Sequence, residues 1–378
     1  MTIGVPKETN KKERRVPLIP DTVKKLVALG ADLVVEEAVG LAAGFTDAQY
    51  REAGAKIMKR TEVVSGSDVV LRLAKPPAEE VGLLKEGCVH VSYLDPFNEK
   101  SLVDALARRG VNAISMEMIP RITRAQKMDS LSSQASLAGY AAVILAAERI
   151  DRVFPMMVTP AGTLTPAKVF VIGAGVAGLQ AIATAHRLGA RVEAFDTRPV
   201  VADQVQSLGA QFVKVDLGET GQTKDGYAKE LTKEQLAMQQ QAMTDHCASS
   251  DVVITTAQVF GRKAPVIVTH EMVAAMRPGS VVIDMAVDSG GNVADSKLDE
   301  EVDLNGVRII GIPNLAGMYP VHASQMYSSN IGNLVMEFWN KDAKELVLDV
   351  EDEILKGCLV TKDGQVWNER LKSLYVTA

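Results

Sequence analysis

The stretch 167–196, AKVFVIGAGVAGLQAIATAHRLGARVEAFD, decides the fold class of this chain. An apolar run ends in Gly173-x-Gly175-x-x-Gly178, which opens an amphipathic segment and is followed by a second apolar run. This order is typical of strand, tight turn, helix and strand, in which backbone N–H groups approach a pyrophosphate at the positive end of the helix. A lone GxGxxG pattern is weak, but here the context predicts a dinucleotide site that includes Gly173, Gly175, Val176 and Gly178.

The acidic residue that follows the second strand predicts which dinucleotide binds. Asp196 stands 23 positions after Gly173 (196 − 173). A carboxylate there accepts hydrogen bonds from both ribose hydroxyls and repels a 2′-phosphate, so it favours NAD(H) over NADP(H). Arg198 is a counter-signal, because a cation can meet a 2′-phosphate, but Asp196 is better placed. We therefore predict NAD(H) as the cofactor, with Thr197 and Arg198 in its binding turn.

Length and composition narrow the class of protein. The 378 residues are too many for one ordinary core, and 47% hydrophobic with 23% charged residues describes a folded chain. A net charge of −6 argues against binding a nucleic-acid backbone. Three scattered cysteines predict neither a disulfide scaffold nor a metal site. The start resembles no signal peptide and the apolar stretches are interrupted before ~20 residues, so we expect a cytoplasmic protein without a membrane-spanning helix.

Strand-like and helix-like segments alternate along the whole chain, which predicts an α/β fold. We expect two doubly wound Rossmann-like domains with parallel sheets, joined by long helices with a cleft between. The first domain is predicted to be discontinuous, residues 1–131 plus about 328–378. The NAD(H)-binding domain is expected at about 132–327 and begins with an Ala-rich helix. A polar stretch near 217–245 predicts a mobile or functional loop, and Asp363-Gly364 predicts a turn between two strands.

The segment 120–130, PRITRAQKMDS, follows an apolar run and is loaded with polar groups. Composition alone divides evenly between a solvated connection and one wall of a site. The polar residues in question are Arg121, Arg124, Gln126, Lys127 and Asp129.

Other polar residues are interpreted as structural or surface residues without a role in a site. His90 in a strand-like run is interpreted as a satisfied core histidine. Lys75 and Arg15 are interpreted as solvated surface charges, unless something acidic must be held.

The whole chain to about residue 335 resembles the family that contains alanine dehydrogenase and the NAD(H)-binding part of proton-translocating NAD(P) transhydrogenase. The shared patterns are VPKE…ERRV, GAGVAGLQAIATAHRLGA, TTA…APVIVT, MRPGSVVIDMAVDSGGN and GIPNL. Lys75 and Arg15 match the substrate lysine and arginine of the dehydrogenases. Asp95 in SYLDP stands where those enzymes carry a catalytic histidine. Asp288 in AVDSGG resembles the dehydrogenase aspartate and departs from the transhydrogenase pattern.

Three features favour the transhydrogenase branch: Asp95, the segment IPRITRAQKMDSLSSQASLAGY, and GYAKE with the tail KDAKELVLDVEDE…GCLVTKDG. The resemblance implies catalytic roles for Arg121, Gln126, Asp129 and Ser132 on the nicotinamide side, with Gln126 also reaching the incoming NADP nucleotide. It further implies a cofactor site that includes Ile122, Thr123, Arg124, Gln258, and a loop with Gly226 and Tyr227 that closes over NADH.

The expected activity is that of a proton-translocating, Re/Si-specific NAD(P)+ transhydrogenase. Hydride passes directly from NADH to NADP+, and this step needs no general acid, metal or nucleophile because the cofactors carry the chemistry. The protein must hold the two C4 atoms roughly 3–3.5 Å apart and exclude water.

The chain has a single dinucleotide fingerprint, so NADP(H) is expected on a partner component and proton translocation in a membrane-spanning partner. The resemblance suggests a homodimer that associates peripherally with the inner membrane through its partner subunits. The alternatives are an alanine dehydrogenase-type amino-acid dehydrogenase and a nucleotide-sensing module without catalysis.

Overall fold

The computed structural model describes residues 1–215, 232–258 and 261–377. The chain divides into two compact units, Met1–Gln134 with Tyr319–Ala378, and Ala135–Met318. The sequence predicts these divisions at 131 and about 328. The division predicted at about 328 lies after Met318 in the structure, because the whole helix that starts at Pro320 belongs to the first unit.

The strands and helices are numbered in chain order. The first unit opens with β1 (Thr2–Val5), α1 (Pro20–Ala28), β2 (Asp32–Glu36), α2 (Asp47–Glu52), β3 (Lys56–Met58), α3 (Arg60–Gly66), β4 (Val69–Leu71), α4 (Ala78–Val81), β5 (Val89–Ser92), α5 (Lys100–Arg108), β6 (Asn112–Ser115) and the start of α6 (Ser130–Arg149). The second unit continues with β7 (Met157–Thr159), β8 (Gly162–Leu164), β9 (Lys168–Ile172), α7 (Val176–Arg187), β10 (Arg191–Phe195), α8 (Ala202–Ser207), β11 (Gln211–Phe212), α9 (Lys233–Ser249), β12 (Val252–Thr255), α10 (His270–Ala274), β13 (Val281–Asp284), β14 (Glu300–Leu304) and β15 (Val307–Gly311). The chain ends, again in the first unit, with α11 (Pro320–Glu337), β16 (Trp339–Asn340), β17 (Glu345–Leu346), α12 (Glu353–Cys358), β18 (Leu359–Lys362), β19 (Gln365–Val366) and α13 (Glu369–Thr377).

The first unit is built on an eight-stranded sheet in the order β19-β18-β6-β5-β4-β1-β2-β3. Strands β1 to β6 pair in parallel, and β18 joins β6 in the antiparallel direction. The hairpin of β18 and β19 closes through Asp363 and Gly364, both with positive φ angles (48° and 82°), as two-residue hairpin turns require. The predicted turn is confirmed.

The second unit is built on a seven-stranded sheet in the order β11-β10-β9-β12-β13-β15-β14. All neighbours are parallel except the edge pair β14 and β15. The strands β9 to β11 run outward to one side and β12, β13 and β15 to the other, so the order reverses between β9 and β12. In open α/β sheets this switch point is where ligands bind, at the carboxyl ends of the strands. The predicted class, α/β with mostly parallel sheets, is confirmed.

The polar stretch predicted as a loop near 217–245 is a helix over part of its length. From Lys233 onward it forms α9, whose first turn is closed by a capping box between Thr232 and Gln235. The loop prediction is wrong for that part, because the capping pair starts a helix that polar composition alone does not reveal. The predicted loop residues Gly226 and Tyr227 lie outside the described residues.

Within the described ranges one helix, α6, is long and apolar enough to cross a membrane by length and composition, with a mean hydropathy of 1.2. The apolar runs of the sequence predict no such stretch. Of its most apolar window, 44% is buried within the protein. A Cβ placed on Gly139 of α6 would lie 2.1 Å from the carbonyl oxygen of Ala177, so this helix packs directly on the N-terminal turn of α7.

Candidate dinucleotide site

The turn between β9 and α7 has the shape that a pyrophosphate site needs. Gly173 has a φ of +101°, and a Cβ on Gly178 would lie 1.8 Å from the Gly173 carbonyl oxygen. Gly175, in contrast, faces open space, and this N-cap residue makes no side-chain capping bond. The N–H groups of the first turn of α7 are thus left for an external acceptor. The geometry fits a bound dinucleotide phosphate.

Asp196 braces this turn from the end of β10. The residue is 9% exposed, and its Oδ2 accepts the backbone N–H of Ala174 at 2.8 Å. Arg198 donates to the same carboxylate from its backbone N–H (2.8 Å), Nε (2.9 Å) and Nη2 (2.8 Å). These hydrogen bonds raise the pKa of the Arg198 guanidinium above its ordinary value. Arg198, the cation that in the sequence could have met a 2′-phosphate, is therefore bound by the Asp196 carboxylate itself.

The end of β12 supplies two further polar side chains. Thr256 donates its hydroxyl to the Gly173 carbonyl at 3.0 Å, which ties the strand end to the glycine turn. Gln258, a predicted cofactor residue, is exposed and donates Nε2 to the carbonyl of Met285 at 3.2 Å. Thr256 was not singled out from the sequence, although TTAQ after an apolar strand is a usable signal.

The segment 120–130 of the first unit is a short fixed element. Residues Thr123–Met128 form a 3-10 helix with Ala125 and Met128 buried. Its Lys127 carbonyl accepts hydrogen bonds from the side-chain amides of Asn330 (3.1 Å) and Asn333 (3.0 Å) on α11. The exposed side chains are those of Arg121, Thr123, Arg124, Gln126 and Lys127, with Ile122 partly exposed.

The charges of this segment have structural partners. Arg124 forms an ion pair with Asp352, whose hydrogen bond raises the pKa of Arg124 above its ordinary value. Lys127 donates to Glu337 at 2.7 Å and is exposed.

Asp129 and Ser132 form one hydrogen-bonded pair at the start of α6. Asp129 accepts the Ser132 backbone N–H at 2.9 Å and its hydroxyl at 2.6 Å. The carboxylate thus satisfies donors of the first helical turn and fixes where the 3-10 segment ends and α6 begins.

The two basic residues interpreted as surface charges differ in the structure. The side chain of Arg15 is only 9% exposed, with Nε and Nη2 on the Glu13 carboxylate (2.9 and 2.7 Å) and Nη1 on Gln134 (2.8 Å). Arg15 is therefore not a solvated charge but holds an acidic group, the Glu13 carboxylate, which is the exception that the sequence interpretation allows. Lys75 pairs with Glu99 at 2.5 Å and its side chain stays 44% exposed.

Asp95 occupies the turn after β5 in a left-handed conformation, with a φ of +51°. Its carboxylate accepts the Asn98 amide at 2.8 Å. Its backbone N–H and that of Leu94 donate to Glu117, whose pKa is raised by burial. Asp288 is exposed in the 3-10 turn Val287–Ser289.

His90 is fully buried in β5, but it is not satisfied as the sequence interpretation assumed. Neither ring nitrogen has a hydrogen-bond partner among the residues that the structure describes. Burial, with the nearby charge of Arg72 adding to it, lowers the pKa of His90 to about 3, so the ring is neutral near pH 7.

Comparison with known families matches nearly the whole chain. The family model described as "Alanine dehydrogenase/PNT, N-terminal domain" matches residues 4–138, and "Alanine dehydrogenase/PNT, C-terminal domain" matches residues 142–369. The chain belongs to the alanine dehydrogenase/PNT family.

Within this family the similarity is graded. An NAD(P) transhydrogenase subunit alpha chain of Rhodospirillum rubrum is 44% identical, with 97% of each chain covered. A crystal structure of transhydrogenase from Sinorhizobium meliloti has a TM-score of 0.85 at 40% identity, with 98% of this chain and 100% of that one covered. An L-alanine dehydrogenase structure has a TM-score of 0.83 at 26% identity, with 100% and 99% covered. The fold is shared across the family, while sequence identity is higher to the transhydrogenases.

The two glycines of the turn predict different outcomes for the same substitution. Gly178→Ala should destabilise the fold by about 1–3 kcal/mol, since its Cβ would overlap the Gly173 carbonyl. Gly175→Ala should leave the melting temperature nearly unchanged but weaken NADH binding, because its Cβ would enter only the open space above the helix end. Thermal denaturation and NADH titration measure both, and a Gly178→Ala protein as stable as wild type would contradict the close contact.

Proposed function

We propose that this chain is the NAD(H)-binding component of a proton-translocating, Re/Si-specific NAD(P) transhydrogenase. It passes hydride directly from NADH to NADP+ held by a partner component, and a membrane-spanning partner couples the reaction to proton translocation. The chain would act in the cytoplasm, associated with the inner membrane through those subunits. The names of the transhydrogenase relatives and the one GxGxxG fingerprint of the sequence support this assignment.

Asp95 is the residue that favours the transhydrogenase branch over the alanine dehydrogenase branch in this proposal. The alanine dehydrogenases place a catalytic histidine at the matching position, where it serves their acid–base chemistry. Here the side chain is a carboxylate that binds Asn98. Hydride transfer between two nicotinamides releases no proton, so that reaction does not need an imidazole at this position.

The chain's own residues bind and orient, while NAD(H) when bound supplies the hydride chemistry. The uncapped N–H groups after Gly175 bind the pyrophosphate. Asp196 accepts hydrogen bonds from the adenosine ribose and opposes a 2′-phosphate, which leaves NADP(H) to the partner.

The nicotinamide half is assigned to the first-unit segment. Arg121 and Gln126 donate to its carboxamide and ribose, and Asp129 with Ser132 fixes the end of the segment that carries them. Ile122, Thr123 and Arg124 complete this part of the proposed site, as Gly226, Tyr227 and Gln258 do for the rest of the cofactor.

The function is tested by mixing the purified chain with NADH and an NADP-binding transhydrogenase component and following reduction of an NADP+ analogue. We expect transfer that depends on both proteins. A parallel assay with NADH, pyruvate and ammonia should be silent. Turnover there at ordinary enzyme rates would instead identify an alanine dehydrogenase, and NADH binding with no transfer in either assay would favour a sensor.

Gln126→Asn should slow hydride transfer far more than it weakens NADH binding, because a shorter amide loses its position on the nicotinamide. Single-turnover transfer and NADH titration separate the two effects. Lys127→Gln on the same 3-10 turn is the matched control, since Lys127 binds Glu337 and should not affect transfer. Equal losses of binding and transfer in Gln126→Asn would refute the positioning role.

Asp196→Ala should weaken NADH binding by about 10- to 150-fold, the range expected when hydrogen bonds to a charged group are lost. It also releases Arg198, so affinity for NADPH should rise relative to NADH. Arg198→Ala is the control: the carboxylate remains, and NADH should still be preferred. Isothermal titration with both nucleotides decides, and unchanged NADH affinity in Asp196→Ala would contradict the ribose contact.

We also propose a homodimer that uses the hairpin of β7 and β8. These strands form a two-stranded sheet of their own, and Met156, Val158 and Leu164 on the hairpin are exposed. An isolated two-stranded hairpin is marginally stable in water, and a second copy of the chain would cover its apolar side chains. Val158→Glu should halve the mass measured by light scattering, whereas Leu298→Glu, at another exposed apolar position, should not. A wild-type monomer would refute the proposal.

A further inference from the structure

A buried carboxylate at the carboxyl end of β13 organises the loop that follows it. Asp284 is fully buried, and its oxygens accept the backbone N–H groups of Ala286 (3.0 Å), Asn292 (3.0 and 3.1 Å) and Val293 (3.2 Å). Gly291 lets the chain wrap this closely, because its φ is +82° and a Cβ there would lie 2.8 Å from Asp284 Oδ2. A fully buried carboxylate surrounded by backbone donors is a rigid centre of the loop.

Asn292 carries this constraint to the neighbouring strand. It is also fully buried, and its side-chain amide donates to the carbonyls of Ala257 (2.9 Å) and Pro265 (2.8 Å) and accepts the Ala257 N–H at 3.0 Å. Its backbone carbonyl accepts from Ile267 and Val268. One side chain therefore holds the chain on both sides of the segment that leaves β12.

The chain held in this way reaches the glycine turn. Thr256, next to Ala257, donates to the Gly173 carbonyl, and Gln258 on the other side donates to Met285 just after β13. The hydrogen bonds thus run from Asp284 through Asn292 to residues 256–258 and on to Gly173. All of them lie at the carboxyl ends of β9, β12 and β13, at the point where the strand order reverses.

We propose that Asp284 and Asn292 are positioning residues for the nicotinamide half of the bound dinucleotide, an inference that rests on the proposed NAD(H) site. Asp196 on β10 lies on one side of the switch point and serves the adenosine half. The strands β12 and β13 lie on the other side, where the second half of a dinucleotide is expected. Small displacements of the residues beside the nicotinamide reduce the rate of hydride transfer strongly, because the reacting atoms must be held close and aligned.

The test compares two ligands and two buried carboxylates. Asp284→Asn keeps the shape of the side chain but replaces an acceptor oxygen by an N–H donor facing N–H groups. It should weaken NADH binding by at least about tenfold, while binding of ADP, which lacks the nicotinamide half, stays within about threefold of wild type.

Asp251→Asn is the matched control, because Asp251 is a buried carboxylate at the opposite, amino-terminal edge of the same sheet. It accepts the Lys168 N–H (2.9 Å) and pairs with Arg152 and Arg277. We expect this variant to lower the melting temperature without changing the ratio of NADH to ADP affinity.

Asn292→Ser, which removes the tie to Ala257 and Pro265 but leaves Asp284 in place, should reproduce the selective NADH loss and replaces Asp284→Asn if that protein does not fold. A ratio of NADH to ADP affinity equal to that of wild type, in a folded variant, overturns this inference alone. The same change of ratio in Asp251→Asn also overturns it, since the effect would then follow stability. A wild-type chain that binds ADP but no NADH overturns the proposed function and this inference with it.

Discussion

The close approach of helix α7 to strand β9, which only glycine permits at residues 173 and 178, is the contact on which the second unit's site depends. With 1.8 Å between the Gly173 carbonyl oxygen and a hypothetical Cβ on Gly178, any side chain there would push the helix away from the sheet. Because the helix stays close, its first N–H groups point at the open space beside Gly175. The same turn receives hydrogen bonds from neighbouring strand ends, through Asp196 to Ala174 and through Thr256 to Gly173. The steric requirement at Gly178 therefore affects the arrangement of several strand ends at this edge of the sheet.

The sequence predicts this turn well because its requirements are local. Residue type and spacing are enough to recognise a left-handed glycine, a helix start and an acidic residue one strand later. The side-chain hydrogen bonds of Asn292 are different, since they join chain segments that lie 27 and 35 positions apart in the sequence (292 − 265 and 292 − 257). Asp284 and Asp288 stand four positions apart in VVIDMAVDSGG, yet one is fully buried and the other exposed. Nothing in their spacing distinguishes a carboxylate that builds the loop from one that faces outward.

The segment 120–130 shows the same limit for charge. Arg124 and Lys127 bind Asp352 and Glu337, which follow more than 200 positions later, and Arg15 is paired with Glu13. Residue type reveals a charge but not its partner, so composition left the solvated and functional interpretations level. The structure shows that the segment is anchored through Asn330 and Asn333 to α11. For a reaction that needs placement more than acid–base chemistry, this anchoring supports the proposed role better than the density of charge does.

The same strand order does not bring the same strand-exit turn, as a comparison of the two units shows. Its strands β3-β2-β1-β4-β5-β6 repeat the order found in the second unit. The exit from β1, however, continues with Pro6, which has no N–H to offer, and with Glu8, whose carboxylate accepts the Leu73 N–H at 2.8 Å. Burial raises the pKa of Glu8 to about 7, so near neutral pH the exit from β1 carries a partial negative charge where the second unit presents uncapped N–H groups. A pyrophosphate is favoured by the uncapped N–H groups beside Gly175, whereas Pro6 offers no N–H group at the exit from β1. Among the residues that the structure describes, the two units thus differ at the exit from this strand, and only the difference at Gly175 is used in the proposal that this chain binds NAD(H).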